Sequence, residues 1–202
     1  MRRTKHDVVT EFRQGEIVRA ACRVFARTGF EAATVDEVAA EAGVAKGTLY
    51  LYFKSKLEIY LTALKGELEK LDSVTHKQMA LEPTAAGKLR AFVETRLAYL
   101  DEHSDFFKIY QFELGHMFLH PSQVHSDFSA YYRRQSDFLR EIMEQGVRNN
   151  EFHCEYPNAM AFLIYDTVRG VAMRRLLGLS ELSLSEDTRM AINFIWSGMG
   201  VR

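Results

Sequence analysis

Apolar residues recur at three- and four-residue spacing along almost the whole chain, with no alternating stretch of the strand type. From about Thr10 to Thr28, Ile17, Ala21, Val24 and Phe25 share one face, and Gly29 follows as the residue on which such a helix ends. Thr34 and Glu37 then form a T-x-x-E capping box, in which a hydroxyl takes a free amide at a helix start and a carboxylate reaches back to another. Val38, Ala39 and Ala42 continue that helix as far as Gly43, and a second short helix is predicted from Lys46 through Phe53. Ser55 and Glu58 repeat the capping box and open a long helix carrying Leu57, Tyr60, Leu61, Leu64, Leu68 and Leu71, with no breaker before Pro83.

The remainder also reads as helix. Leu89, Phe92, Val93, Leu97 and Leu100 mark one helix to about Glu102, and Phe106 to Phe118 is apolar on several sides, as a helix in the middle of a domain would be. Pro121 precedes a long helix with Phe128, Tyr131, Tyr132, Gln135, Phe138, Leu139, Ile142, Met143 and Val147. Another follows Pro157, with Met160, Leu163, Ile164, Val168, Val171, Ala172 and Leu176, and ends at Gly178; the last begins near Leu184 and carries Ala191, Ile192, Ile195 and Trp196. The expected fold is all-α, with about nine helices and no repeat.

Two short helices joined by a turn containing glycine are the sequence form of the helix-turn-helix, whose second helix enters a major groove. The pattern therefore divides the chain into a three-helix DNA-binding domain, residues 1–56, and a larger helical domain, residues 57–202. The first nine residues are polar and basic at Arg2, Arg3 and Lys5, and read as loose chain, either a frayed end or an arm for phosphates.

With 202 residues, 47% of them hydrophobic, and three prolines, the chain can bury a substantial core. No apolar run approaches the roughly 20 residues of a membrane span, and the start MRRTKHDVVTEF lacks the apolar centre of a signal peptide, so a cytoplasmic protein is expected. Cys22 and Cys154 are too few for a disulfide framework and read as buried thiols. The net charge of -1 hides an asymmetry: residues 1–56 hold 10 Lys/Arg against 7 Asp/Glu, while the remainder holds 16 against 20. Positive charge thus accompanies the helix-turn-helix, as a DNA-contacting end requires.

The stretches G29F30, T34V35D36E37V38A39, A42G43V44, K46G47T48L49Y50 and Y52F53K54S55K56, in this order and spacing, resemble the TetR family of bacterial transcriptional regulators. The specific likeness covers about residues 10–60; farther on, G146V147R148N149N150E151F152 looks like a turn of that family with Asn150 where glycine is commoner. The resemblance implies a homodimer, a palindromic double-stranded DNA operator, repression, and release by a small-molecule effector. It also implies DNA contacts from Thr34, Lys46, Gly47, Thr48, Tyr50, Tyr52 and Lys56, with Thr34 and Lys56 on phosphates and Lys46, Gly47 and Thr48 opening the recognition helix. Two residues depart from the pattern: Ala45 stands where a capping residue is frequent, and Leu51 where a polar or aromatic residue often faces DNA.

The chemistry of the residues agrees. Helix N-termini point free amides at anions, so the caps at Thr34 and Ser55 suit phosphates, although both could be caps and nothing more. Thr48 can meet a thymine methyl or donate a hydrogen bond, and neither it nor Lys46 makes the bidentate base contact of an arginine on guanine. Direct contacts are thus few, leaving phosphate positioning and DNA shape to supply much of the specificity. Leu49 and Phe53 read as core.

In the C-terminal part, Tyr99, His103, Tyr110, Gln111, Tyr165 and Arg169 are polar groups within apolar helices. A buried unpaired polar group costs about 1–3 kcal/mol, so such groups usually have a partner or a ligand. With aromatic neighbours such as Phe107 they form the expected lining of a lipophilic effector cavity, although the aromatic residues also suit a plain core. Val168, Val171, Ala172, Ile192 and Ile195 supply the expected dimer interface, a four-helix bundle of the last two helices and their copies. His103, His116, His120 and His125 do not form a compact ligand set, and neither a metal nor a cofactor is expected.

The competing functions are an all-helical enzyme and a scaffold that uses the same cavity. An enzyme would need a nucleophile-base pair or a phosphate loop, and G-x-S-x-G, H-E-x-x-H and glycine-rich loops are all missing from the chain. The expectation is therefore a non-enzymatic, ligand-responsive regulator.

Overall fold

The structure, a computed structural model of the chain, describes residues 5–109 and 123–199, and the described residues contain nine helical segments. Helix α1 spans Lys5–Ala32, α2 Val35–Glu41, α3 Lys46–Tyr50 and α4 Lys56–Met79. They are followed by α5 over Ala85–Glu102, α6 over residues 104–109, α7 over Gln123–Arg148, α8 over Pro157–Leu176 and α9 over Leu184–Met199. The chain separates into two compact units, with the border inside α4 between Glu69 and Lys70, some way beyond the division expected at residue 56.

The first unit contains α1 to α3, the N-terminal part of α4, and the segment that starts at Asp105. Helix α1 begins earlier than expected, so residues from Lys5 onward are helical and not loose. Gly29 breaks the helical geometry at φ 77°, ψ 169°, and the chain makes one further turn to Ala32. The inward stripe of α1 is Ile17, Ala20, Ala21, Val24 and Phe25, all buried. Phe25 meets Tyr60 edge-on at 5.1 Å between ring centroids, and Phe30 lies 4.8 Å from the same ring. These three aromatics tie α1 to the start of α4.

The second unit is built around α5, which packs against α7, α8 and α9. Thr84 caps α5 by accepting from the Gly87 amide at 3.0 Å, and Pro157 opens α8, where a missing N–H is harmless. The turn between α7 and α8 has two local requirements. Asn150 takes a positive φ of 57°, which explains why glycine suits this position. Gly146 lies against the Phe152 ring so closely that an added Cβ would sit 2.2 Å from Cζ. Phe152 itself is buried and has the Trp196 ring 6.2 Å away.

Candidate nucleic-acid interface

Helix α2, its turn and α3 are fixed by contacts within a few residues. The Thr34 amide donates to Glu37 Oε2 at 2.7 Å, and the Glu37 amide donates to Thr34 Oγ1 at 3.2 Å, which completes the capping box. The Thr34 hydroxyl also donates to the Glu37 carboxylate at 2.9 Å, and the backbone and side-chain bonds from Thr34 hold that carboxyl below its usual pKa. At the other end of α2, Gly43 has a φ of 65°, the Gly43 amide donates to Ala40 O at 3.1 Å, and the Val44 amide donates to Ala39 O at 3.0 Å. This pair of bonds is the Schellman closure that a left-handed residue permits. The expected box at Ser55 is offset by one residue: Ser55 Oγ accepts from the Glu58 amide at 3.1 Å, but the Glu58 carboxylate reaches the Lys54 amide.

Helix α3 is shorter than its apolar pattern suggests, ending at Tyr50 in a tight turn through Leu51 and Tyr52. Ala45 makes no side-chain cap, and the helix is held instead by Leu49 and Phe53, which are 0% and 3% exposed. Gly47 lies on the surface, Thr48 and Tyr52 are half-buried, and Tyr50 is exposed. All seven residues expected to contact DNA are in the first unit, six of them in or flanking α2 and α3 and Lys56 at the start of α4.

Two of the expected cationic contacts are engaged within the unit. Lys46 Nζ pairs with Asp36 Oδ2 at 2.7 Å, and this bond raises its pKa; because both partners are exposed, the pair is weak and a phosphate could replace it. Lys56 Nζ donates to three main-chain oxygens, those of Phe30 at 2.7 Å, Glu31 at 3.1 Å and Ala33 at 3.0 Å. Its three donors thus close the C-terminal end of α1, and the ammonium also lies 4.4 Å from the centroid of the Phe30 ring. Arg23 and Arg27 share the Glu41 carboxylate. Lys54, which was not among the expected contacts, is an exposed cation just before α4 with no ion pair among the described residues. Its signal in the sequence is only its place between the two short helices and the next capping residue.

In the second unit, Tyr99 and His103 pair with each other at 4.1 Å between ring centroids at the C-terminal end of α5. Tyr165 and Arg169 meet around Tyr132: the Tyr165 ring is edge-on to it at 4.9 Å, and the Arg169 guanidinium lies 5.8 Å from its centroid while pairing with Asp166 at 3.2 Å. Tyr132 donates its hydroxyl hydrogen to Asp166, and burial followed by this bond pushes its pKa up. Phe107 is buried in the first unit, and Tyr110 and Gln111 lie outside the described residues.

A polar cluster that the sequence reading did not single out lies beside Tyr165. Arg96, 3% exposed, donates from Nη1 to Asp72 Oδ1 at 3.1 Å and to Gln135 Oε1 at 3.2 Å, and from Nη2 to the Tyr131 hydroxyl at 3.1 Å. Tyr131 donates in turn to Asp72 Oδ1 at 2.9 Å, and Gln135 Nε2 to Asp72 Oδ2 at 2.8 Å. A buried guanidinium is tolerable only with such a full set of partners. The available signal was Arg96 itself, a charge within the apolar stripe of Phe92, Val93, Leu97 and Leu100.

The expected dimer residues are placed differently. Val168, Val171, Ala172, Ile192 and Ile195 are all buried inside the chain's own core, 2–9% exposed, and are not available to a partner. The apolar side chains that α8 and α9 leave on the surface are Leu163, Met190 and Phe194, the last 70% exposed. Met190 and Phe194 line an open groove of about 460 Å³ together with Leu182, Glu186, Arg189, Asn193 and Ser197.

A helix-turn-helix with its second helix exposed on one side, carried by a helical body, defines a DNA-binding regulator. Residues 17–63 match the family model described as bacterial regulatory proteins, tetR family, and residues 82–173 match that of the tetracyclin repressor-like C-terminal domain. The chain belongs to the TetR family. It is 35% identical over 97 residues to the transcriptional activator FasR of Mycolicibacterium smegmatis, a match covering 48% of this chain and 44% of that protein. It is 27% identical over 167 residues to the transcriptional repressor KstR2 of Rhodococcus jostii, covering 80% of this chain and 78% of that one. The crystal structure of the regulator FadR from Bacillus subtilis in complex with stearoyl-CoA has the same fold, with a TM-score of 0.80 at 20% identity over 91% of this chain and 98% of that one. These relatives are regulators of transcription and not enzymes.

Proposed function

We propose that the chain is a cytoplasmic, homodimeric repressor that binds a palindromic operator and leaves it when a small lipophilic effector enters the helical body. The observation that carries this reading is the geometry of α3: Leu49 and Phe53 anchor it inward while Gly47, Tyr50 and Leu51 remain on the surface. In this reading residues 1–56 read DNA and residues 57–202 bind effector and partner. Thr34, Lys46, Gly47, Thr48, Tyr50 and Tyr52 form the DNA-facing surface, Lys54 supplies a phosphate contact, and Lys56 acts by holding the end of α1.

For the effector, the stearoyl-CoA of the FadR complex supports a long-chain acyl thioester. Tyr99, His103, Tyr165 and Arg169 are the side chains of the second unit assigned to its pocket. The surface residues Leu163, Met190 and Phe194 replace the buried set as the dimer face. No helix among the described residues is long and apolar enough to cross a membrane, which fits an operator-binding protein. The test is a gel-shift series on the DNA upstream of the chain's own gene, repeated with stearoyl-CoA. A specific complex dissolved by micromolar stearoyl-CoA supports the whole reading. A specific complex indifferent to it removes the acyl thioester, and failure to form one removes DNA binding.

A further inference from the structure

Leu51 is the most exposed large apolar side chain among the described residues, at 81%. It caps α3 with helical angles, φ −70° and ψ −23°, so the helix spacing extends through it. At about 100° per residue, Gly47 and Thr48 lie on the same face as Leu51, and Leu49, buried, points to the opposite side. Beside Lys46 and the exposed Tyr50, this face presents a methylene, a threonine and a leucine, with the Thr48 hydroxyl for hydrogen bonding. The one charge on α3, Lys46, is directed elsewhere, at Asp36.

Gly47 gives the second observation. It has no positive φ, and a Cβ built on it would meet nothing within 4 Å. Neither backbone conformation nor packing inside the protein calls for glycine here, although glycine is the least favourable ordinary residue for a helix. At the exposed start of α3 a close approach from outside accounts for it: the missing side chain lets the backbone of α3 sit deep against another surface.

Resting on the reading of the chain as a DNA-binding regulator, we propose that it recognises its operator through thymine methyl groups, with Leu51 as the specificity-determining residue and Gly47 setting the depth of insertion. The C5-methyl of thymine is the apolar feature that the major groove offers, and the face of α3 offers apolar surface in return. Leu51 thus becomes a positive contact, and direct readout is less sparse than the missing polar side chains suggest.

The probe is a duplex enriched by the full-length protein from a random pool, prepared once with thymine and once with uracil at every thymine of the half-sites. The two differ only in the methyl groups. Anisotropy titrations at one salt concentration are expected to show a three- to fivefold loss for each contacted methyl, the size that burial of one methyl implies. Leu51→Ala is expected to bind the thymine duplex more weakly and to respond less to uracil. Gly47→Ala is expected to fold at least as stably as the parent and still bind at least tenfold more weakly. Equal affinity of the parent for both duplexes would overturn the proposal while leaving DNA binding intact, as would an undiminished uracil response in Leu51→Ala. If no duplex is enriched, the DNA-binding reading fails and the proposal fails with it.

Discussion

Replacing Lys56 by methionine separates two roles that the sequence leaves open, a phosphate ligand and a structural clamp. Its ammonium donates to Phe30 O, Glu31 O and Ala33 O at 2.7, 3.1 and 3.0 Å, and the Phe30 ring lies beneath it. Hydrogen bonds from a charged donor contribute about 1.5–3 kcal/mol each when buried. None of the three bonds is fully buried and that to Glu31 is exposed, so water would replace each in part and the whole set is worth about 2–3 kcal/mol, not three times the single value. For a chain of this size each kcal/mol shifts the melting temperature by about 2–4 °C, giving an expected fall of about 4–12 °C for Lys56→Met by circular dichroism. The slope of log affinity for DNA against log salt, measured well below the melting temperature, is expected to stay the same, because no phosphate contact is lost. An unchanged melting temperature with a slope smaller by about 1 per protomer would refute the clamp and restore Lys56 as a phosphate ligand.

Three further outcomes are expected. Gly146→Ala would place its Cβ 2.2 Å from the Phe152 ring and is expected to cost about 1–3 kcal/mol in urea unfolding, relieved in part by Phe152→Leu. Asp187, fully buried, accepts from Ser180 at 2.6 Å, from Arg175 at 2.9 Å and from Arg174; burial alone would raise its pKa, but these partners outweigh it and hold the carboxyl below 3.8. Its contribution is therefore complete above about pH 4 and is lost as pH falls through the depressed folded value, so Asp187→Asn is expected to cost about 1–3 kcal/mol at pH 7 and progressively less in acid. Phe194→Glu, which charges the exposed apolar face of α9, is expected to yield monomers in analytical ultracentrifugation at micromolar concentration, while unfolding as the parent does.

What the sequence by itself determined is what depends on neighbours within a turn or two of chain. The box of Thr34 and Glu37, the left-handed turn at Gly43 and the burial of Leu49 and Phe53 were all legible, because their partners lie three to five residues away or follow from helical spacing. The family resemblance rests on the same stretch. Helix α8 shows where that legibility ends: with apolar residues on several sides, its pattern does not specify which face turns inward, and Val168 and Val171 went to the core while Leu163 stayed outside. Lys56 and the main-chain oxygens it holds are 23 to 26 residues apart, and Arg96 meets Asp72 across 24. Only the tertiary structure decided those partners, because a charge chooses among the acceptors that folding brings within about 3 Å, and that choice leaves no periodic trace in the chain.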